Sequence, residues 1–409
     1  MEGKIVKILL LKEQKNPPDR RVAFLPEQCL RIQQLYPQLR FFFQPSDSRC
    51  IPDNAYLEFG INPLENPEEA DILFGIKEVP AEFLVEGKTY FFFSHTIKKQ
   101  AHNRGLLRAL LSKKIEMIDY ECLLDPNGNR TVAFGRFAGI VGAYNAFRMY
   151  FQKTGTGILP PASSCSNQQD LILLTKEWLP VVGGLKIAIT GTGRVGSGAI
   201  EVLDQLGIPR ISPEAYLEYA GIKPVYTVLS SRHYMKRKAG LPWDEDRFRT
   251  YPEEYESCFS RYTASTDILI SCHFWNPGAP VLFKLKDIAS PEFRISIVSD
   301  VTCDIGGSIP TTLRASSIAS PFYDADRKTG RELPAFSSAD NITVCAVDNL
   351  PCELPYDASI AFGEMLGNFV IPEIAGSSRT SVEAATICRD GRLLTAFQYL
   401  RDFAGEDHG

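Results

Sequence analysis

The sequence predicts an α/β protein of two doubly wound parallel-sheet domains with an interdomain cleft. Three observations carry this. Short apolar runs alternate with amphipathic helical stretches over residues 1–120, and the alternation resumes at Leu185; that order marks βαβ units and parallel sheets. The stretch LKIAITGTGRVGSGAIEVLDQLG, Leu185 to Gly207, runs strand, glycine turn, helix. A chain of 409 residues is long enough for two or three domains, each with its own core. The expected division is residues 1–137 with 350–409 as a discontinuous catalytic and substrate domain, and 138–349 as a dinucleotide-binding domain.

In the first domain IVKILLL reads as a strand, Pro26 to Leu35 as a helix and LRFFF as the next strand. ADILFGI and TYFFFS are two more, and KIEMID is a fifth after a helical run from Lys98 to Leu111. Ligand crevices of open parallel sheets lie beyond the carboxyl ends of the strands. Those ends carry the chemistry here. Lys77 follows ADILFGI and His95 follows TYFFFS; Asp119 and Glu121 follow IEMI; the first strand leads into the basic loop KEQKNPPDRR, ending at Arg20 and Arg21. Each has a plain structural alternative: Lys77 as a solvated lysine paired with Glu78, His95 as a helix cap or core hydrogen-bonder, the arginines as surface charges, Glu121 as a lysine's partner. Their convergence on one rim points to a site, and a lysine beside a histidine can pass protons when burial disfavours the lysine's charge.

The segment AGIVGAYNAFRMYF reads as a crossover helix whose small residues allow close packing. Arg136 precedes it at an expected hinge, where it either contacts substrate or fixes the hinge. TGTGILPPASSCSNQQD is a loop by its Gly, Pro and Ser content. The glycine stretch then fits a Rossmann-like G-x-G-x-x-G in its proper context, after a strand and before a helix. Gly191 permits the tight turn, Gly193 lets a pyrophosphate reach the backbone, and Gly196 lets helix and strand pack closely. With Arg194 and Val195 they open a helix whose N-terminus suits phosphate. At the end of the next strand, KPVYTVLS, an NAD site would carry an acidic residue. The chain instead has Ser230, Ser231 and Arg232, followed by Lys236, Arg237 and Lys238. A serine and a basic residue there suit a 2′-phosphate, so NADP is expected, with NAD as the alternative. Two later strands end near His273 and at the turn flanked by Asp300 and Asp304; His273 and Asp304 are candidates to approach the cofactor, or hold their loops. NITVCAV is a further strand, Asp357 to Val370 a helix, and Ser381 to Ala404 one more helix, packed on the first domain.

Composition narrows the function class. A net charge of −5 with no basic tail argues against nucleic acid as the main partner. No apolar run approaches the length that spans a bilayer, and the N-terminal run is too short and interrupted for a signal peptide. Ten cysteines without a C-x-x-C or zinc-type spacing read as thiols of a reducing compartment. A cytoplasmic protein without a metal site is expected; a homo-oligomer is left open.

The motifs KEQKNPPDRRVAFLPE, GIKEVP, FFFSHTIKKQ, IDYECLLDPNGNRTVAFGRFAGIVG, GTGRVGSGA, SDVTCDIGGSIP, SIASPFYDAD and VDNLPCELPYDAS span nearly the whole chain. On these the chain resembles the lysine–ketoglutarate reductase domain of the bifunctional lysine-degrading enzymes and, more loosely, the lysine-forming saccharopine dehydrogenases. Both look like members of the alanine dehydrogenase and transhydrogenase superfamily. The resemblance implies an NADP-linked oxidoreductase of amino acid metabolism, interconverting lysine plus 2-oxoglutarate with saccharopine by hydride transfer to or from an imine. It implies Lys77 and His95 as the catalytic pair, Arg21 on a substrate carboxylate, and Glu78, Lys98 and Glu121 as tuning groups. The Lys/His pair is common to the superfamily, so reductive amination of a 2-oxo acid with ammonia, as in alanine dehydrogenases, is the alternative. A non-catalytic nucleotide-binding regulator is a third. On this resemblance the second enzyme domain of the bifunctional proteins is not expected here, which leaves the direction of the reaction open.

Overall fold

The computed structural model describes residues 5–15, 18–179, 183–376 and 378–405. Asn16 and Pro17, inside the basic KEQKNPPDRR loop, lie outside the described residues. The chain divides into two compact units, residues 1–134 with 355–409, and residues 135–354.

The strands, in chain order, are β1 (Val6–Leu10), β2 (Leu39–Phe43), β3 (Asn62–Pro63), β4 (Ile72–Phe74), β5 (Thr89–Phe92) and β6 (Glu116–Asp119). There follow β7 (Lys186–Thr190), β8 (Val225–Leu229), β9 (Met235–Arg237), β10 (Tyr255–Ser257), β11 (Ile268–Ser271) and β12 (Ile297–Asp300). The last are β13 (Phe322–Ala325), β14 (Glu332–Leu333), β15 (Ile342–Cys345), β16 (Thr386–Arg389) and β17 (Arg392–Leu393). The helices that matter below are α1 (Pro26–Leu35), α2 (Arg104–Ser112), α3 (Gly135–Thr154), α4 (Arg194–Gln205) and α5 (Pro355–Phe369).

The first unit is built on one sheet in the order β17-β16-β6-β5-β4-β1-β2-β3. From β6 to β3 every pairing is parallel. Its order reverses between β4 and β1, which places a ligand crevice at the carboxyl ends of those two strands. The second unit has the order β14-β13-β15-β12-β11-β7-β8, parallel from β15 to β8. Its reversal lies between β11 and β7, so the glycine turn after β7 opens at the equivalent place. The central strands are buried on both faces: Ile8, Leu9, Leu73, Tyr90, Phe91, Ile187, Ile189, Leu269 and Val344 have no exposure. That is why they read as unbroken apolar runs rather than alternating ones.

Both sheets are largely parallel, as expected, with antiparallel pairs at one edge of each, β16 and β17 in the first and β13 and β14 in the second. Two expected helices are corrected. The expected helix from Ser381 to Ala404 is a short helical turn, the β16–β17 hairpin and further helical turns. The cause is Asp390–Gly391, with φ of 51° and 77°. Positive φ at both central residues makes the tight turn that matches the twist of an antiparallel pair, and Asp-Gly is among the pairs best suited to it. The helical run expected from Lys98 is likewise delayed, and α2 starts at Arg104, because Lys99 takes a left-handed conformation.

In the second unit α3 is buried on nearly every side, and it crosses α4 at backbone contact. A Cβ on Gly139 would stand 1.9 Å from the carbonyl oxygen of Val195, and one on Gly198 would stand 1.9 Å from that of Arg136. Small residues therefore let the helix that follows the glycine turn pack against α3. Gly139→Ala and Gly198→Ala should each destabilise the protein by about 1–3 kcal/mol or more, because backbone must move to admit the methyl group. Gly105→Ala in α2, where a Cβ meets nothing within 4 Å, should instead be neutral or gain up to about 1 kcal/mol from helix propensity. Urea unfolding of the three variants checks the contrast.

Candidate active site

In the first unit, β4 and β5 are neighbours, and the residues just past their ends are Lys77 with Glu78, and His95. Glu13, in the loop after β1, reaches across the crevice and accepts the backbone N–H of Ile76 at 2.7 Å and of Lys77 at 3.0 Å. One carboxylate thus secures the strand end that carries Lys77. Burial pushes Glu13 up to about 7, helped by the nearby Asp19 charge and opposed by those two hydrogen bonds. The Tyr120 hydroxyl donates to the carbonyl of Gly75 at 2.9 Å, fixing the same strand end from the other side.

The His95 imidazole meets Glu78 through Nδ1, 2.5 Å from Oε1. Lys15 stands 3.3 Å from the other carboxylate oxygen of Glu78. Burial works to raise Glu78, but the His95 hydrogen bond, its own backbone N–H and the charges of His95 and Lys15 outweigh it and hold the carboxyl down at about 2. Glu78 is therefore an anion at all ordinary pH. Since Nδ1 faces Glu78, Nε2 is the ring nitrogen left to face a substrate. Farther along the rim, Glu121 lies 3.2 Å from Lys98 Nζ and 2.8 Å from Arg130 Nη2. Burial raises its pKa, and these two cations more than offset that, so it too is held low.

Two expected substrate contacts have partners inside the protein. Arg21 is only 3% exposed and forks onto Asp19, with Nε at 2.9 Å and Nη2 at 2.6 Å from the carboxylate oxygens. Its guanidinium also lies 4.0 Å over the Phe134 ring. A buried guanidinium needs a counter-charge, and Asp19, two residues away, supplies it; Arg21 is not an uncommitted carboxylate fork. Arg136 forks onto Glu201 of α4, with Nε at 2.7 Å and Nη2 at 2.6 Å, and Gln168 completes the set on Glu201 at 2.6 Å. Arg136 thereby ties the start of α3 to α4.

In the second unit β7 runs into Gly191, whose φ of 93° makes the turn. A Cβ on Gly196 would come 2.2 Å from the carbonyl oxygen of Gly191, so only glycine closes the turn onto α4. Gly193 has nothing within 4 Å of its would-be Cβ and directly precedes α4. That is the cradle a pyrophosphate requires: open space beside backbone N–H groups at a helix N-terminus. The exposed Arg194 and the partly buried Val195 form its first turn. The residue after β8, Ser230, is engaged by His233 Nδ1 at 2.9 Å, and the Ser231 hydroxyl lies 3.4 Å from that of Tyr234; Arg232 is exposed. Asp304 is exposed in the turn after β12.

His273 is 8% exposed, and its Nδ1 sits 2.7 Å from the Thr190 hydroxyl. The His273 backbone packs against the glycine turn, since a Cβ on Gly191 would stand 2.7 Å from its Cα. The ring is a neutral wedge between β7 and β11, which fits the loop-holding role that the sequence offered beside a cofactor contact. Residues that the sequence reading passed over are Glu13 and Ser94; an acid just past β1 and a serine just before His95 were the available signals. Among the described residues no cluster could hold a metal ion, no helix is long and apolar enough to cross a membrane, and all ten cysteines are free thiols.

Burial presses His273 from its ordinary 6.5 down to about 4. Its contribution to stability is therefore whole above about pH 6.5 and is lost as pH falls toward 4, where the unfolded chain takes up a proton that the folded ring refuses. The expected loss is up to about 3 kcal/mol. Urea unfolding at a series of pH values should show this acid loss in the native protein and a shallower one in His273→Gln.

Comparison with known proteins follows the same lines. Residues 9–141 match the family described as alanine dehydrogenase/PNT, N-terminal domain. Over 96% of its length the chain is 31% identical to the mitochondrial alpha-aminoadipic semialdehyde synthase of Mus musculus, covering 47% of that protein. It is 26% identical to the saccharopine dehydrogenase (NAD(+), L-lysine-forming) of Yarrowia lipolytica, over 88% of this chain and 90% of that one. The chain spans about half the length of the semialdehyde synthases it matches. Among solved structures, an L-alanine dehydrogenase superposes with a TM-score of 0.66 at 19% identity, covering 98% of this chain and 100% of that one. The transhydrogenase from Sinorhizobium meliloti gives 0.60 at 15%, covering 95% and 100%. The chain thus has the fold seen in alanine dehydrogenase and transhydrogenase, its residues 9–141 match the alanine dehydrogenase/PNT N-terminal domain family, and its sequence is similar to the alpha-aminoadipic semialdehyde synthases and the lysine-forming saccharopine dehydrogenases.

Proposed function

We propose that the protein is an NADP-linked reductase of amino acid metabolism that joins the ε-amine of lysine to the keto carbon of 2-oxoglutarate, giving saccharopine, or runs the reverse. The observation that carries this reading is the pair of adjacent strand ends in the first unit, one bearing Lys77 and the other His95 hydrogen-bonded to Glu78. Amine addition gives a carbinolamine, loss of water gives an imine, and reduction of the imine gives the secondary amine. Those steps move protons on and off nitrogen and oxygen, which calls for two groups of different proton affinity. Lys77 shuttles protons as the carbinolamine forms and loses water. His95 is the acid–base at the reacting nitrogen, through Nε2, while Glu78 orients the ring through Nδ1. Glu78, Lys98 and Glu121 keep the rim's charges paired. When bound, the nicotinamide supplies the hydride; Gly191, Gly193 and Gly196 with the first turn of α4 hold its pyrophosphate. Arg232, exposed at the end of β8 where no carboxylate stands, favours the 2′-phosphate of NADP.

A second reading, reductive amination of pyruvate or another 2-oxo acid with ammonia, draws on the alanine dehydrogenase/PNT match over residues 9–141. Purified protein supplied with NADPH should oxidise it with lysine plus 2-oxoglutarate and not with ammonia plus pyruvate; turnover only in the ammonia mixture overturns the substrate assignment. Lys77→Met and His95→Gln should each lower kcat by about 10²–10⁴-fold, and wild-type rates in both would remove the acid–base roles. Arg232→Ala should cut the preference for NADPH over NADH by about 10–100-fold, the worth of a charge-assisted contact, read from KM for the two cofactors.

A further inference from the structure

His95 is not a glycine, yet its φ is 52° and its ψ is 10°. A left-handed backbone costs free energy at any residue with a Cβ, though less at histidine than at branched ones, and persists where the surroundings over-determine it. The two residues that flank it show what does so. Ser94 and Thr96 have no exposure, nor does Asp119 at the end of β6. One Asp119 oxygen accepts both the backbone N–H of Ser94, at 3.0 Å, and the Ser94 hydroxyl, at 2.5 Å. The Ser94 hydroxyl in turn lies 2.8 Å from that of Thr96 and accepts the Thr96 N–H at 3.2 Å. The other Asp119 oxygen accepts the N–H of Glu121 at 2.7 Å. On the far side, Lys98 N–H and the Asn103 amide both donate to the His95 carbonyl.

We infer that Asp119, acting through Ser94, is a positioning residue that pins the backbone on both sides of His95, so that the imidazole is delivered to Glu78 with its other nitrogen facing the substrate. Neither residue needs to touch substrate. The turn would otherwise relax into ordinary backbone geometry and swing the ring away from Glu78. The same carboxylate fixes the Glu121 turn, so the histidine and the Lys98–Glu121–Arg130 cluster share one anchor. The inference rests on the acid–base role proposed for His95, and its test separates the two.

The probe is Ser94→Ala, which removes the bridging hydroxyl but keeps the Ser94 N–H on Asp119; Asp119→Asn serves as a harsher second variant. The first readout needs no turnover: the His95 ring resonances by NMR, with Glu78→Gln as the reference for a ring detached from its partner. In Ser94→Ala they should move toward that reference. The second readout is kcat with lysine, 2-oxoglutarate and NADPH. Ser94→Ala should lower it about tenfold with little change in KM, and Asp119→Asn should lower it further. In a His95→Gln background the serine change should add nothing, because residues that act as one unit are non-additive. Unmoved ring resonances overturn the inference whatever the rates do, and so do rate losses from Ser94→Ala and His95→Gln that multiply. Resonances that move while His95→Gln turns over at the wild-type rate uphold the anchor and remove the acid–base role instead.

Discussion

A parallel strand that stops leaves its last backbone N–H groups without ladder partners, and an unpaired N–H away from water is costly. In the first unit carboxylates take up these groups. Glu13 accepts the N–H of Ile76 and of Lys77; Asp119 accepts those of Ser94 and Glu121. A carboxylate has lone pairs enough for several donors at once, so each ties two loop segments together. Burying the charge is expensive, and both groups are pushed toward the protonated form by it, but the hydrogen bonds offset much of that cost. The consequence is positional: the two side chains best suited to proton transfer each stand on backbone held by a carboxylate.

The second unit meets the same problem with the opposite means. Where β7 ends there is no acidic side chain; glycines bring the turn, the helix and the neighbouring strand β11 to contact, and α4 starts directly after Gly193, beside open space. A side chain at Gly196 would collide with Gly191, whereas one at Gly193 would collide with nothing. The first glycine is thus demanded by packing and the second is not. Space beside Gly193 is what an anion needs, which makes it the stronger pointer to a ligand. His273 supports the arrangement from β11 by remaining a neutral, buried ring.

Much of this was legible in the sequence, for identifiable reasons. Strands buried on both faces announce themselves as apolar runs, and in an open parallel sheet the residues just past them fall on one rim, so Lys77, His95 and the glycine turn could be placed before any coordinates. What sequence could not supply was who pairs with whom. Arg21 looked like a substrate fork, but a buried guanidinium must find a counter-charge, and Asp19 is its nearest source. Arg136 looked like a hinge residue, and its carboxylate partner lies 65 positions away on α4. The terminal hairpin stands where the sequence reads as one helix because Asp390–Gly391 takes the left-handed pair that a tight antiparallel turn requires. Glu13 and Ser94 carry no periodic signal; their importance is visible only once the strand ends are side by side.

The pairing pattern has a chemical meaning under the proposed reaction. That reaction brings together an amine, which arrives as a cation, and a 2-oxo dicarboxylate, which arrives as an anion. A rim of one sign would attract one reactant and repel the other. A strongly negative rim would also hold the amine in its protonated, non-nucleophilic form. The rim in fact carries both signs, paired residue by residue: Lys15 and His95 with Glu78, Lys98 and Arg130 with Glu121, Arg21 with Asp19. Such pairs are close to neutral as seen by an approaching ligand; the exposed cations Lys15, Lys98 and Arg130 can turn to a substrate carboxylate at modest cost, whereas parting the buried Arg21–Asp19 pair leaves a buried charge uncompensated. At Arg21 the pairing is internal and buried, so a role in binding a carboxylate requires an exchange of partners that uncovers Asp19, not the filling of an open fork.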